Sequence, residues 1–230
     1  MRQKTQRLIA ILLVGTALFT VLYRDGLILD HLGLHLDNPF TRTVIVPETY
    51  SDADRNENGI ADPLDIVAAA RAEVRQKTKY RSKYYAGGYP PAGEGVCTDV
   101  VWRGLLGASI RLKDLMDADI AANDPFYPRV NGTPDPNIDF RRVPNQDAFF
   151  RRFAESLTTE LIPGDIGNLL QWQPGDIVVF LDGCQHIGIV SDRRAKDGTP
   201  YLIHNSPPFA AETKLKSVTA PISAHYRWNY

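Results

Sequence analysis

Three runs of β-branched and aromatic residues lie close together in the last third of the chain: DIVVFL (176–181), HIGIVSDRR (186–194) and PYLIHNS (200–206). Such runs, separated by Gly- and Asp-containing turns, predict the strands of an antiparallel sheet. Trp172-Gln-Pro-Gly-Asp signals the turn before the first run, and Asp197-Gly198 reads as a hairpin turn between the second and third. The residues upstream have a helical texture instead. Residues 61–80 carry Leu64, Val67, Ala68 and Val74 at near-helical spacing, with Lys and Arg toward the end. Residues 98–108 form a short apolar helix, RLKDLMDADIAAN a third, and QDAFFRRFAESL (146–157) a fourth whose core face is Phe149, Phe150, Phe153 and Leu157. Between the last two lies a long irregular stretch rich in Asp, Asn and Pro. Helices first and an antiparallel sheet second is an α+β pattern.

The first residues set the compartment. MRQKTQR is basic, and residues 8–23 then run without a charge. A basic flank followed by an apolar segment is the layout of a signal sequence. The run ends in Val21-Leu22-Tyr23-Arg24, which lacks the small residues that cleavage needs, and Tyr23 suits a membrane–water interface. We therefore expect an uncleaved signal anchor over 1–23, spanning the membrane with 8–23, a stalk over 24–48, and a domain over 49–230 outside the cytoplasm. A cleaved signal, giving a secreted protein, is the alternative. The net charge of −1 and the lack of a basic stretch give no footing for nucleic acid.

An exported domain meets an oxidising medium, yet 230 residues hold only two cysteines, too few for a disulfide framework. Cys97 stands in GEGVCTDVVWRGL (93–105), where a glycine loop meets the start of a helix. Helix N-terminal N–H groups favour a thiolate and lower a thiol's pKa. Such a cysteine is a nucleophile when a base and an orienting group stand by it, and otherwise a small buried hydrophobe. His186 opens one of the predicted strands and His204 lies within the next. If those strands pair, one imidazole can take the thiol proton while the other fixes its tautomer. Cys184, two residues before His186, is expected as a free thiol near the mouth of the site. In NIDFRRVPN (137–145), Arg141 or Arg142 could grip a substrate carboxylate; alternatively the loop is held by its own Asp–Arg pairs.

The order Tyr-x-x-Gly-Gly, Pro, Gly-to-Cys loop, PGD, HIGIV and IH resembles the NlpC-type papain-like peptidases that cut bacterial cell-wall peptides. That resemblance implies a papain-like fold with N-terminal helices packed on the sheet. It implies Cys97 as nucleophile, His186 as base and His204 as orienting residue, with Asn205 as alternative third residue. It also places Tyr84 or Tyr85 in the substrate cleft. Those enzymes usually carry Asp-Cys-Ser-Gly, whereas this chain has Val96-Cys97-Thr98-Asp99, which leaves the substrate open. From about residue 62 onward, GVCTDVVWR, NIDFRRVPN, WQPGDIVVF, HIGIVSD, IHN and HYR resemble the bacterial domain of unknown function 1287 family. The expectation is a cysteine peptidase or amidase acting on peptidoglycan peptides, with no cofactor in the chemistry. A non-catalytic wall-binding domain and an acyltransferase using the same thiol are the alternatives.

A second motif opens the domain. With Asp54 as position one of DADRNENGIADPLD, Asn56, Asn58, Gly59, Ile60, Asp62 and Asp65 fall at three, five, six, seven, nine and twelve. This is the spacing of an EF-hand-type calcium loop followed by a helix. Asp at position twelve resembles dockerin-like loops. We expect structural Ca2+ held by Asp54, Asn56, Asn58, the Ile60 carbonyl, Asp62 and Asp65; the alternative is an acidic start to the helix.

Overall fold

Strands and helices segregate as the hydrophobic pattern requires. The computed structural model describes residues 2–19 and 27–230. The helices are α1 (Arg2–Phe19), α2 (Leu27–His31), α3 (Asp62–Arg75), α4 (Cys97–Gly107), α5 (Leu112–Asn123), α6 (Val143–Phe153) and α7 (Ile166–Leu169). The strands are β1 (Lys79–Tyr80), β2 (Glu94–Gly95), β3 (Ala154–Ser156), β4 (Ile177–Phe180), β5 (His186–Arg194), β6 (Pro200–Ser206), β7 (Phe209–Lys214) and β8 (Ala224–Trp228). They form one sheet in the order β2-β1-β7-β6-β5-β4-β8-β3. Every pairing is antiparallel except the two-residue β1–β2 contact. The chain is thus α+β, with helices gathered on an antiparallel sheet.

Alternation along the strands sorts the side chains onto two faces. Ile177, Val179, Ile187, Ile189 and Ile203 join Ile66, Val100, Leu105 and Phe150 in the main core under α3, α4 and α6. Val178, Phe180, Val190 and Leu202 face the other way, against Trp172 and Leu215. At Gly188, between these faces, an added Cβ would stand 2.8 Å from Leu202 Cγ and 2.9 Å from the Ile203 carbonyl oxygen. β5 and β6 therefore approach too closely there for any side chain. Gly175, in the turn before β4, has φ +85° and Pro63 Cα at 3.0 Å from where a Cβ would be, so both backbone and space call for glycine.

Several helix expectations are corrected in detail. α3 ends at Arg75 because Lys77 turns left-handed with φ 50°, and residues 79–80 become β1 instead of helix. Its buried apolar face is Ile66, Val67 and Ala70, while Ala68 is exposed. α6 begins at Val143, with Pro144 in its first turn, and gives way to extended backbone at Ala154. Phe149 and Phe150 are buried on it, but Phe153 is 40 % exposed.

The N-terminal segments differ from a free stalk. Asp30 is buried and accepts hydrogen bonds from the Lys214 backbone N–H and Nζ. Val44 N–H donates to the Lys196 carbonyl, and Thr49 N–H to Gln173 Oε1. The 27–48 part of the expected stalk therefore lies on the domain, along β7 and the β5–β6 turn. The side chains of residues 3–19 in α1 are exposed. Residues 20–23 of the expected span, with the interfacial Tyr23, and residues 24–26 of the stalk lie outside the described residues. Among the described residues no helix is long and apolar enough to cross a membrane.

Candidate active site

Asp99 organises the start of α4. Val96 is the extended residue before the helix, and its N–H donates to Asp99 Oδ2 at 2.7 Å. That bond closes the first turn in the manner of a capping box. Asp99 also accepts Arg141 Nε at 2.7 Å, Arg141 Nη2 at 2.8 Å and Trp102 Nε1 at 2.9 Å. Thr98 Oγ1 donates to the Arg141 carbonyl, and Gln146 Nε2 to the carbonyls of Thr98 and Phe140. Cys97 is thus fixed at the helix N-terminus by side chains arriving from the 139–146 segment.

The thiol itself is 6 % exposed. It lies against the backbone N–H groups of Ile187, Thr98 and Cys97, yet burial pushes it up to about 12. The lowered pKa expected from the helix N-terminus is therefore not realised in the resting site. Loss of water around the sulfur outweighs the stabilisation of charge by three N–H groups.

His186 and His204 meet as expected. Phe180 and His186 pair across β4 and β5, while β6 carries His204 alongside. His186 Nε2 lies 2.8 Å from His204 Nδ1, and His204 Nε2 lies 3.0 Å from Thr213 Oγ1. Burial lowers His186 to about 4. It also drives His204 well below the usual range, with the charges of His186 and His31 adding to the effect. Both rings rest neutral. Two tautomer arrangements satisfy the chain. If His186 donates from Nε2 and His204 donates from Nε2 to Thr213, His186 Nδ1 is left as a lone-pair acceptor. The reverse arrangement leaves it protonated. Ile187, whose N–H meets the thiol, directly follows His186. Among the described residues no hydrogen bond joins Cys97 to either imidazole. Asn205 points elsewhere: its Nδ2 donates to the Gly95 carbonyl at 3.2 Å, and its buried Oδ1 has no partner.

A cleft of about 300 Å³ opens over Cys97, lined also by Tyr80, Arg129, Arg141, Arg142 and Gln185. Tyr84 and Tyr85 do not line it. Tyr84 is exposed and donates to Asp135, whereas Tyr85 donates to Glu94 and lies beneath the Arg141 guanidinium, 5.0 Å from its ring centre. Tyr80 lines the cleft, and its hydroxyl pKa is raised by burial and by the neighbouring Cys97. Arg141 holds Asp99 and the Lys83 carbonyl, so its role is to fix α4. Arg142 has Asp139 at 3.6 Å. Tyr80 and Arg129 carry no sequence signal that would set them in the cleft. The Asp99 capping position, two residues after Cys97, was readable. Cys184 and Cys97 are both free thiols, the first exposed and the second buried.

The 54–65 loop is closed by its own polar atoms. Asp54 accepts the N–H groups of Asn58 and Gly59. Both Asn56 Nδ2 and Asn58 Nδ2 donate to Asp65 Oδ2 at 2.8 Å. Asp62 Oδ1 accepts the Arg55 N–H, and its buried Oδ2 has no hydrogen bond. Among the described residues no three His, Cys, Asp or Glu side chains gather as a metal site.

A family described as Domain of unknown function (DUF1287) matches residues 67–228. The chain is 40% identical over 191 residues to the protein described as "Uncharacterized protein YijF" of Escherichia coli K12, covering 80% of this chain and 87% of that one. No solved structure matches it.

Proposed function

The chain belongs to the DUF1287 family, and for it we propose a cysteine hydrolase that cleaves an amide bond in peptidoglycan peptides outside the cytoplasm. One observation carries the reading. A cysteine at a helix N-terminus lines a cleft and lies against the N–H of Ile187, whose chain neighbour His186 is hydrogen-bonded to His204.

A neutral thiol and a neutral imidazole are the starting state for general-base delivery, which requires His186 Nδ1 to reach the thiol. His186 Nδ1 takes the proton as Sγ attacks the amide carbonyl carbon. Charge on the carbonyl oxygen is met by backbone N–H groups at the α4 start. The tetrahedral intermediate then expels the amine, which leaves with the proton from His186. Water adds to the thioester with His186 again as base, releasing the carboxylic acid and restoring the thiol. The mechanism uses the arrangement in which His204 donates to Thr213 and accepts from His186 Nε2, leaving His186 Nδ1 free; Asn205 is the alternative third residue. No cofactor enters these steps. The papain-like arrangement, the N-terminal membrane anchor and the cell-envelope location belong to the same proposal.

For the 54–65 loop we propose structural calcium. The spacing supports it, as does the Asp54 bond to the Gly59 N–H across the turn. The amide oxygens of Asn56 and Asn58, which accept the Asn58 and Ile60 N–H groups within the loop, would also face a cation shared with Asp54, the Ile60 carbonyl, Asp62 and Asp65.

The test is incubation of the full chain with purified peptidoglycan and mass analysis of the soluble products. New amine and carboxyl termini made by the wild type and not by Cys97→Ala support the proposal. A folded wild type that releases nothing but co-sediments with the wall would mark a binding domain.

A further inference from the structure

The cleft over Cys97 has an uneven charge that the proposed chemistry does not use. Of the eleven residues lining it, three are arginines and none is Asp or Glu. The three are not equivalent. Arg141 is buried and already bonded through Nε, Nη1 and Nη2. Arg142 is half-buried; its Nε is shielded from water and has no hydrogen bond, because Asp139 stops at 3.6 Å. Arg129 is exposed, and its side chain has no hydrogen bond or ion pair among the described residues. Asn145 sets their spacing. It is fully buried, its Oδ1 accepts the Arg129 N–H, and its own N–H donates to the Arg142 carbonyl. Both guanidiniums therefore spring from backbone pinned to one side chain.

We infer that Arg129 and Arg142 form a carboxylate subsite beside Cys97, so that the enzyme selects substrate chains bearing a free carboxylate next to the scissile amide. This rests on the reading of Cys97 as nucleophile. Two planar forks with open donors suit a bidentate carboxylate. Asp139, 3.6 Å from Arg142 Nε, offsets part of the Arg142 charge, whereas Arg129 has no acidic partner among the described residues, so the pair retains net positive charge for an entering carboxylate. A cationic or uncharged peptide gains nothing from them.

The experiment compares two small alkylating agents of similar size, iodoacetate and iodoacetamide, on the full chain carrying Cys184→Ser. Rates of Cys97 carboxymethylation and carbamidomethylation are measured at mildly alkaline pH by peptide mass analysis. In each reaction Sγ displaces iodide and its proton passes to solvent. The ratio of the iodoacetate to the iodoacetamide rate is expected to fall about tenfold in Arg129→Gln/Arg142→Gln. The iodoacetamide rate is the reference: any change in the thiolate fraction enters both rates and cancels in their ratio. An unchanged ratio with Cys97 still reactive overturns the carboxylate subsite and leaves the nucleophile standing. A Cys97 inert to both reagents in the folded protein removes both.

Discussion

Arg141 grips both oxygens of Asp99, at 2.7 and 2.8 Å, across 42 residues of chain. Both side chains are almost fully buried, and Asp99 is two residues from Cys97. Removing one partner strands a charge without water, which costs about 3–5 kcal/mol. Asp99→Ala also frees the Val96 and Trp102 donors. We expect either Asp99→Ala or Arg141→Ala to lower the melting temperature by roughly 6–20 °C in a chain of this size. A double variant should lose clearly less than the sum. Additive losses in a thermal-melt cycle would show that the pair is not a coupled unit.

The imidazole pair predicts an acid-sensitive window. His186 is held at about 4 in the fold against 6.5 ordinarily. Between these values the unfolded chain binds the proton that the folded chain refuses. Stability is therefore complete above 6.5 and falls as pH drops toward 4, by up to about 3 kcal/mol for this residue. His204 acts in the same direction. Denaturant melts in this range should show the slope in wild type and a flatter one in His186→Gln. Equal slopes would place the acid sensitivity elsewhere.

Thiol labelling should follow burial. Exposed Cys184 is expected to react first near neutral pH. Cys97, pushed up to about 12, is expected to gain reactivity steadily as pH rises, with no plateau near neutrality. A plateau below neutral pH would mean a preformed thiolate, contrary to the desolvated resting state.

Calcium should stabilise the loop. An ion bound only by the fold adds about 2.7 kcal/mol at a hundred times its dissociation constant. Millimolar calcium should raise the melting temperature of the full chain, magnesium less so. Asp54→Ala/Asp65→Ala should abolish the shift without altering Cys97 labelling. Identical melting in chelator and in calcium would reduce the loop to an acidic helix start.

What the sequence disclosed followed the range of the interactions involved. β5 and β6 match their expected bounds, 186–194 and 200–206, and α4 starts one residue early, because hydrophobic runs and Gly/Asp turns are local signals. β7 and β8 escaped notice, since FAAETK and AHYRW are short and lack a β-branched run. The left-handed Lys77 that ends α3 is not a glycine, so nothing marked the break. His186 and His204 were legible as rare side chains within predicted strands. The Asp99–Arg141 pair and the Asp30–Lys214 contact, 184 residues apart, depend on tertiary packing alone. For the same reason Arg129 and Tyr80 could not be placed in the cleft, and burial of Cys97 stood only as the alternative to a reactive thiol.

The central claim is hydrolysis through Cys97, and peptidoglycan digestion in 18O-labelled water tests it most directly. The account predicts soluble peptides whose new carboxyl groups carry one heavy oxygen, formed by wild type and absent with a Cys97→Ala chain that melts like wild type. The same labelled products from Cys97→Ala, or none from folded wild type, would contradict it.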